Sequence, residues 1–366
     1  MTVFHLRGVF LPDETERDAW IVEGRLTFSR PSTPGTAAAE TIASGGWIIP
    51  GFVDAHCHVG LSPEGFAPDD ATMIEQALAD RDAGALLLRD VGSPVDNRVV
   101  QHRDDLPRLI RAGRHIARPK RYIRHLGVEV EPEDLVAEVE RQAAAGDGWV
   151  KLAADWIDRS KGDASDLEPV WPDDVLVAAI GRAHELGARV AAHVFGEDAI
   201  GPLLAAGLDS LEHGTGLTDD TIAAAVASGT AVVPTLVNID TFPKIAAGAD
   251  GKYDVYAAHM RSLHQTSRER IRAAYEAGVP VYVGTDAGGS LPHGLVRQEI
   301  KNLVGAGIPQ AEVIAQASWR GREWLGVDSL VEGGPADLVV YDADPRLDLD
   351  TVDVPRRTVL RGRVVG

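Results

Sequence analysis

Six side chains in this 366-residue chain share one chemistry although they are scattered along it. His56 and His58 flank the single cysteine in GFVDAHCHVG. Lys151 stands in WVKLAA, His193 in ARVAAH, His213 in LDSLEH and Asp286 in VPVYVGTD. Alternate side chains of a strand face opposite ways, so His56 and His58 share a face and Cys57 turns from it, as a small apolar group. One cysteine cannot build a Cys/His zinc site. Nitrogen and oxygen donors without thiolates suit zinc first, with manganese, iron or cobalt as alternatives. An isolated His-x-His is weak evidence by itself. Lys151 sharpens it, because an unpaired ammonium in a strand otherwise fit for burial is costly. Either the lysine snorkels from the strand end into water, or its amine is deprotonated and carbamylated by carbon dioxide. The second form is a carboxylate that could bridge two cations, and neighbouring divalent charge would favour it.

The elements that must bring these residues together follow a rhythm. Ala-rich helical segments end at glycine and give way to short apolar runs: EQALADRDAG to ALLLRD, RAHELG to ARVAAH, IAAAVASG to TAVVPTL. Glycine just past a helix suits the left-handed position there. Near-continuous apolar strands alternating with helices indicate a parallel sheet covered by helices. With GFVDAHCH as the first strand and RHIARPKRYI as a poorer third, the count is eight, which predicts an α/β fold, a (β/α)8 TIM barrel. Its strands would end in His58, Asp90, Lys151, His193, His213, Thr235 and Asp286, at the mouth where such barrels place their chemistry. Residues 1–48 and 331–366 read instead as short strands broken by Pro, Gly and Ser. They are expected to form a small β-sandwich domain beside a metallohydrolase barrel of residues 49–330.

A formal net charge of -19 argues against a nucleic acid or an anionic membrane as partner. No apolar run approaches the ~20 residues that span a bilayer. The first twenty residues carry acidic side chains where a signal peptide needs an apolar core, and one cysteine suits a reducing compartment. A cytoplasmic protein is expected, with a small molecule as partner; a homo-oligomer is compatible with the chain. The absence of G-x-G-x-x-G after a strand weakens a dinucleotide-binding reading.

PGFVDAHCHVG, a strand-borne lysine, then His193, LEHG and GTDAG resemble the metal-dependent amidohydrolase superfamily in its binuclear, carbamylated-lysine form. The likeness spans nearly the whole chain and includes the tail GGPADLVVYDADP. LEHGTGLTDD, VVPTL and GTDAGGSLPHG are most similar to the branch of imidazolonepropionase-like proteins and Xaa-Pro or acyl-amino-acid dipeptidases. The resemblance implies two divalent metal ions, with His56, His58 and Asp286 on one, His193 and His213 on the other, and carbamylated Lys151 bridging them. A hydroxide between the metals would attack a scissile carbonyl, and Asp286 would carry its proton to the leaving nitrogen. The expected activity is hydrolysis of a C–N amide bond in a small molecule, a dipeptide or N-acyl amino acid first. A cyclic amide, a lactone or a phosphotriester is the alternative. HVFGE spaces Glu197 one residue further than the His-x-x-Glu of deaminase-like members. A reading of another class, a non-catalytic relative used for assembly or ligand binding, would be expected to have lost ligands, and all six positions are present.

Substrate contacts should come from loops after the strands. Tyr122, Arg124 and His125 in RYIRHLG are candidates, with His125 the match to a histidine that dipeptidase-like relatives carry there. After strand seven, Asn238 or Asp240 stands where those relatives often have tyrosine. His293 of LPHG matches a family His-Gly and is expected on the pocket, and Arg124 or Arg297 could clamp a carboxylate. Arg89 and Asp90 are expected to form a structural ion pair. His184, His259 and His264, all on helical stretches, are expected to serve structure alone.

Overall fold

Seven short parallel strands carry the apolar runs in chain order: Phe52–Cys57, Ala85–Asp90, Arg108–Arg111, Trp149–Ala153, Arg189–Val194, Ser210–His213 and Ala231–Val233. The structure, a computed structural model, describes residues 3–31, 39–63 and 69–366, and the backbone of 65 and 66. Positions 1–2 and 32–38 of the expected N-terminal piece lie outside the described residues.

Helices separate the strands, among them Asp70–Asp82, Leu135–Ala145, Asp173–Glu185, Asp219–Ser228 and the long Asp254–Ala277. Two of these stop at glycines in the left-handed region, Gly229 at φ 72° and Gly278 at φ 99°. There a residue with a Cβ would be strained. The eighth segment is not a regular strand, but it closes the ring. Tyr282 N donates to Val232 O on one side, and Ala55 N donates to Val283 O on the other. The result is a (β/α)8 barrel.

The third strand lies earlier than the sequence suggested. Arg108–Arg111 pairs with Ala85–Asp90, and after a bend at Gly113 the two-residue strand Ile116–Ala117 pairs with Trp149–Ala153. RPKRYI is loop, as expected once Pro119 removes a ladder donor.

Side chains separate into two layers. Phe52, Leu86, Leu88, Val150, Leu152, Val190 and Val232 pack outward under the helices. Val53, Ala55, Leu87, Trp149, Ala191 and Val233 fill the barrel. The Arg89 guanidinium lies over the Trp149 and Trp324 rings at 4.4 and 4.7 Å and plugs the floor. The two chain ends meet in one seven-stranded sheet. In it Glu40–Pro50 runs parallel to Phe4–Phe10 and antiparallel to Leu338–Tyr341. Leu6, Phe10, Ile21, Ile48, Leu338 and Val359 form its own apolar cluster. The shared strand Glu40–Pro50 leads through Gly51 directly into the first barrel strand.

Candidate active site

Lys151 and His193 reach the barrel interior by simple alternation, two residues on from the inward Trp149 and Ala191. The other site residues need distortions. Val53 and Ala55 already face inward, so an undisturbed strand would turn His56 out. A register irregularity between Asp54 and Cys57 rephases it and brings His56 and His58 inside. Cys57 stays in the outer apolar layer, its thiol directed at Arg89 O. His213 and Asp286 take left-handed backbones, φ 69° and 59°, as does Thr235 at φ 51°. Non-glycine residues held there cost on the order of 1–3 kcal/mol each. Three such residues at successive strand ends turn their side chains toward a common centre.

All six donors are buried or nearly so. His56 Nε2 and His58 Nε2 lie 3.1 and 2.9 Å from the same atom, Asp286 Oδ1. The ring nitrogens on the far sides determine what those contacts mean. His56 Nδ1 is 2.7 Å from Glu212 Oε2, and His58 Nδ1 is 2.8 Å from Gly92 O. A carboxylate and a carbonyl can only accept, so each Nδ1 carries a proton, and in the neutral ring each Nε2 presents a lone pair. Two lone pairs and a carboxylate oxygen then face one another, an arrangement that a cation resolves. Burial, and next Lys151, holds His56 below the usual imidazole range, against the raising effect of Asp286 and Glu212. His193 Nε2 and Lys151 Nζ are buried without a hydrogen-bond partner, and His213 is fixed through Nδ1 to Thr235 Oγ1 at 2.7 Å. The residues present therefore fit divalent metal.

Glu212 is the residue that motif reading passed over, although it stands in the LEHG phrase. Fully buried, it accepts from Arg89, Ser210 and His56 at 2.8, 2.6 and 2.7 Å. Burial alone would raise its proton affinity, but Arg89, Lys151 and His56 together hold it well below the usual carboxylate range. The expected Arg89–Asp90 pair is thereby corrected. Neighbours on a strand face opposite ways, so Arg89 points inward to Glu212. Asp90 points outward and accepts from Val59 N, Gly92 N and Asn97 Nδ2. His115, also unremarked in the sequence, is buried 4.9 Å from the His58 ring with neither ring nitrogen bonded.

Above the cluster lies a cavity of about 630 Å³, which His58, His193 and Asp286 line from below. Its wall is mostly apolar and aromatic, with Tyr122, Leu126, Trp156, Phe195, Tyr253 and Tyr256 among the lining residues. Tyr122 meets the His193 ring edge-on at 5.2 Å. Asn238 donates to Asp286 Oδ2 at 2.7 Å and faces the same space. The cations on this wall are Arg159 and Lys244, neither of them marked by sequence. Other candidates fall elsewhere. Arg124 and His125 line a separate depression. His293 is tied to Asp80 at 2.8 Å and is not on the cavity wall, because its own loop folds back onto helix Asp70–Asp82. Arg297 donates to the carbonyls of Asp82 and Ala83, and Asp240 pairs with Arg268. Glu197 holds His259 at 2.9 Å instead of entering the cavity. Among the described residues, no helix is long and apolar enough to cross a membrane.

An uncharacterized protein of Mycobacterium tuberculosis is 53% identical over 363 residues, 99% of this chain and 95% of its own length. The crystal structure of a Xaa-Pro dipeptidase with bound methionine superposes with a TM-score of 0.80 at 19% identity, covering 100% of both chains. That of A. niger ochratoxinase does so with a TM-score of 0.80 at 18% identity, over 99% of this chain and 95% of the other. At those identities the likeness concerns fold. The amidohydrolase family model matches residues 47–365, which takes in the barrel and the strands that return from the C-terminus. The chain belongs to the amidohydrolase family.

Proposed function

We propose that this protein is a metal-dependent hydrolase of a C–N amide bond in a small molecule, with a dipeptide or N-acyl amino acid as the favoured substrate. The observation that carries it is the meeting of two imidazole lone pairs and a carboxylate oxygen at 3.1 and 2.9 Å, inside a closed ring of protein and below an open cavity. His56, His58 and Asp286 would hold one divalent ion, probed first as zinc; His193 and His213 would hold a second. Lys151 would join them as its carbamate. Burial pushes its amine down to about 8, so a neutral fraction exists at physiological pH. That amine adds to carbon dioxide through a new N–C bond and releases one proton.

When bound, such ions supply Lewis acidity toward a carbonyl and make water nucleophilic near neutral pH. The remaining work falls to side chains. Asp286 Oδ1 faces the two histidines, while Oδ2, which accepts from Asn238, would take a proton from the attacking water and return it to the leaving nitrogen. Tyr122 and Asn238 line the space that the scissile group would occupy. The aromatic wall accommodates an apolar side chain or acyl group, and Arg159 or Lys244 would meet a carboxylate. Xaa-Pro dipeptide hydrolysis by one structural neighbour supports the choice of substrate class.

The test is a hydrolysis screen of the zinc-loaded enzyme, with dipeptides and N-acyl amino acids set against lactams, lactones and phosphotriesters. Lys151→Ala is expected to lose the second metal and the activity together. Two metals per chain and full activity in that variant would refute the bridging role. No amide turnover by the wild type would refute the activity.

A further inference from the structure

We propose that the loop after the third barrel strand carries a second binding site, for a multiply charged oxyanion of the phosphate class, back to back with the catalytic cavity. From Leu106 to Val128 the chain has seven Lys and Arg and no acidic residue, in a protein whose net charge is -19. Carboxylates from other elements reach in to four of these cations: Asp337 to Arg108, Asp147 to Arg111, Glu131 to Arg118 and Asp158 to Arg121. Among the described residues, the other three, Arg114, Lys120 and Arg124, receive none. Those three, with His125, line one depression of about 560 Å³. Its single acid is Glu129, which accepts from the Lys120 backbone N. Arg114 Nε is buried there without a partner. Lys120 and His125 both have left-handed backbones, φ 63° and 66°, so the loop bends at each of them.

An acidic protein has carboxylates to spare, and three unpaired cations gathered in one hollow repel each other unless an anion joins them. Guanidinium forks and an ammonium are the donors that recognise phosphate. The volume exceeds that of a bare phosphate and leaves room for an organic substituent. Tyr122, Ile123 and Leu126 of the same loop line the catalytic cavity, so an anion on one face steadies the wall of the other.

Calorimetric titration of inorganic phosphate and pyrophosphate into the full chain, at fixed ionic strength, tests this. Saturable binding at one site is expected, weakened at least about tenfold in Arg114→Gln/Arg124→Gln, since each charge-assisted bond contributes roughly that factor. Asp286→Asn separates this site from the metal centre. Binding that survives Asp286→Asn and is lost in the double variant supports the site. Binding lost in Asp286→Asn and kept in the double variant, or no binding beyond that of chloride, overturns it. Neither result bears on amide hydrolysis, which the screen above decides.

Discussion

Replacing Glu212 by Gln changes one atom and should break the site from behind. Both Glu212 and Arg89 are fully buried, and the carboxylate accepts from Arg89, Ser210 and His56 at 2.6–2.8 Å. Removing the charge leaves a buried guanidinium without its counterion, for which truncation of a buried pair costs about 3–5 kcal/mol. Arg89 keeps two indole faces at 4.4 and 4.7 Å and the Ala55 carbonyl. Those contacts place the expected loss near the lower end, about 3 kcal/mol. A second effect is specific to the amide. Its oxygen can still serve Arg89 and Ser210, which leaves the NH2 facing His56 Nδ1. Two donors cannot face each other, so His56 must move its proton to Nε2 and give up the lone pair that faces Asp286. Loss of such a supporting partner typically weakens metal affinity by about 10–100-fold. The assay is urea unfolding of the metal-free proteins, which keeps ligand linkage out of the stability comparison, followed by zinc titration with a competing chelator. Metal-free stability within about 1 kcal/mol of wild type, together with unchanged zinc affinity, would refute the reasoning from both sides.

Other perturbations follow from the same geometry. A Cβ added at Gly284 would stand 2.8 Å from His56 N and 2.4 Å from Val233 Cγ1. Gly284→Ala should therefore cost on the order of 1–3 kcal/mol and lower zinc affinity, read by unfolding and titration; an unchanged zinc affinity would count against this. Asn238→Asp sets a second carboxylate 2.7 Å from Asp286 Oδ2. One of the pair should then protonate more readily, so the acidic limb of the kcat/KM profile should move up by about a unit or more, and an unmoved limb argues against Asp286 as the proton carrier. His259, hydrogen-bonded by Glu197 and Asp166, is raised from 6.5 to about 9. A raised histidine contributes stability that is whole below the unfolded value and lost as pH climbs through the folded one. The stability gap between wild type and His259→Gln should thus shrink from pH 6.5 to 9; a gap that widens would reverse the assignment.

How much was legible in the sequence depended on the range of the physics involved. Helix-then-glycine-then-apolar-run is a local pattern, and it located most of the barrel. It slipped on the third strand, where Arg108–Arg111 pairs with one neighbour and Ile116–Ala117 with the other, so neither half is long enough to show alternation. The six candidate metal ligands were nominated by residue type at strand ends. Where side chains meet across the barrel, local pattern had nothing to offer. Arg89 was matched to its sequence neighbour because adjacency is all a sequence displays, whereas its partner Glu212 lies 123 residues on. The loop candidates for substrate contact divide. Tyr122 and Asn238 line the cavity, Arg124 and His125 line the far side of their loop, and His293 is tied to a helix.

The sequence by itself determined the order of elements and the inventory of donors, because hydrophobic period and residue chemistry are properties of short segments. Tertiary structure alone decided which way the donors point. A register irregularity turns His56 inward, and left-handed backbones at His213 and Asp286 aim two more donors at one centre. Such conformations are locally unfavourable, so no local preference announces them. They persist because the closed ring of strands and the bonds from Glu212, Gly92 and Thr235 hold them in place.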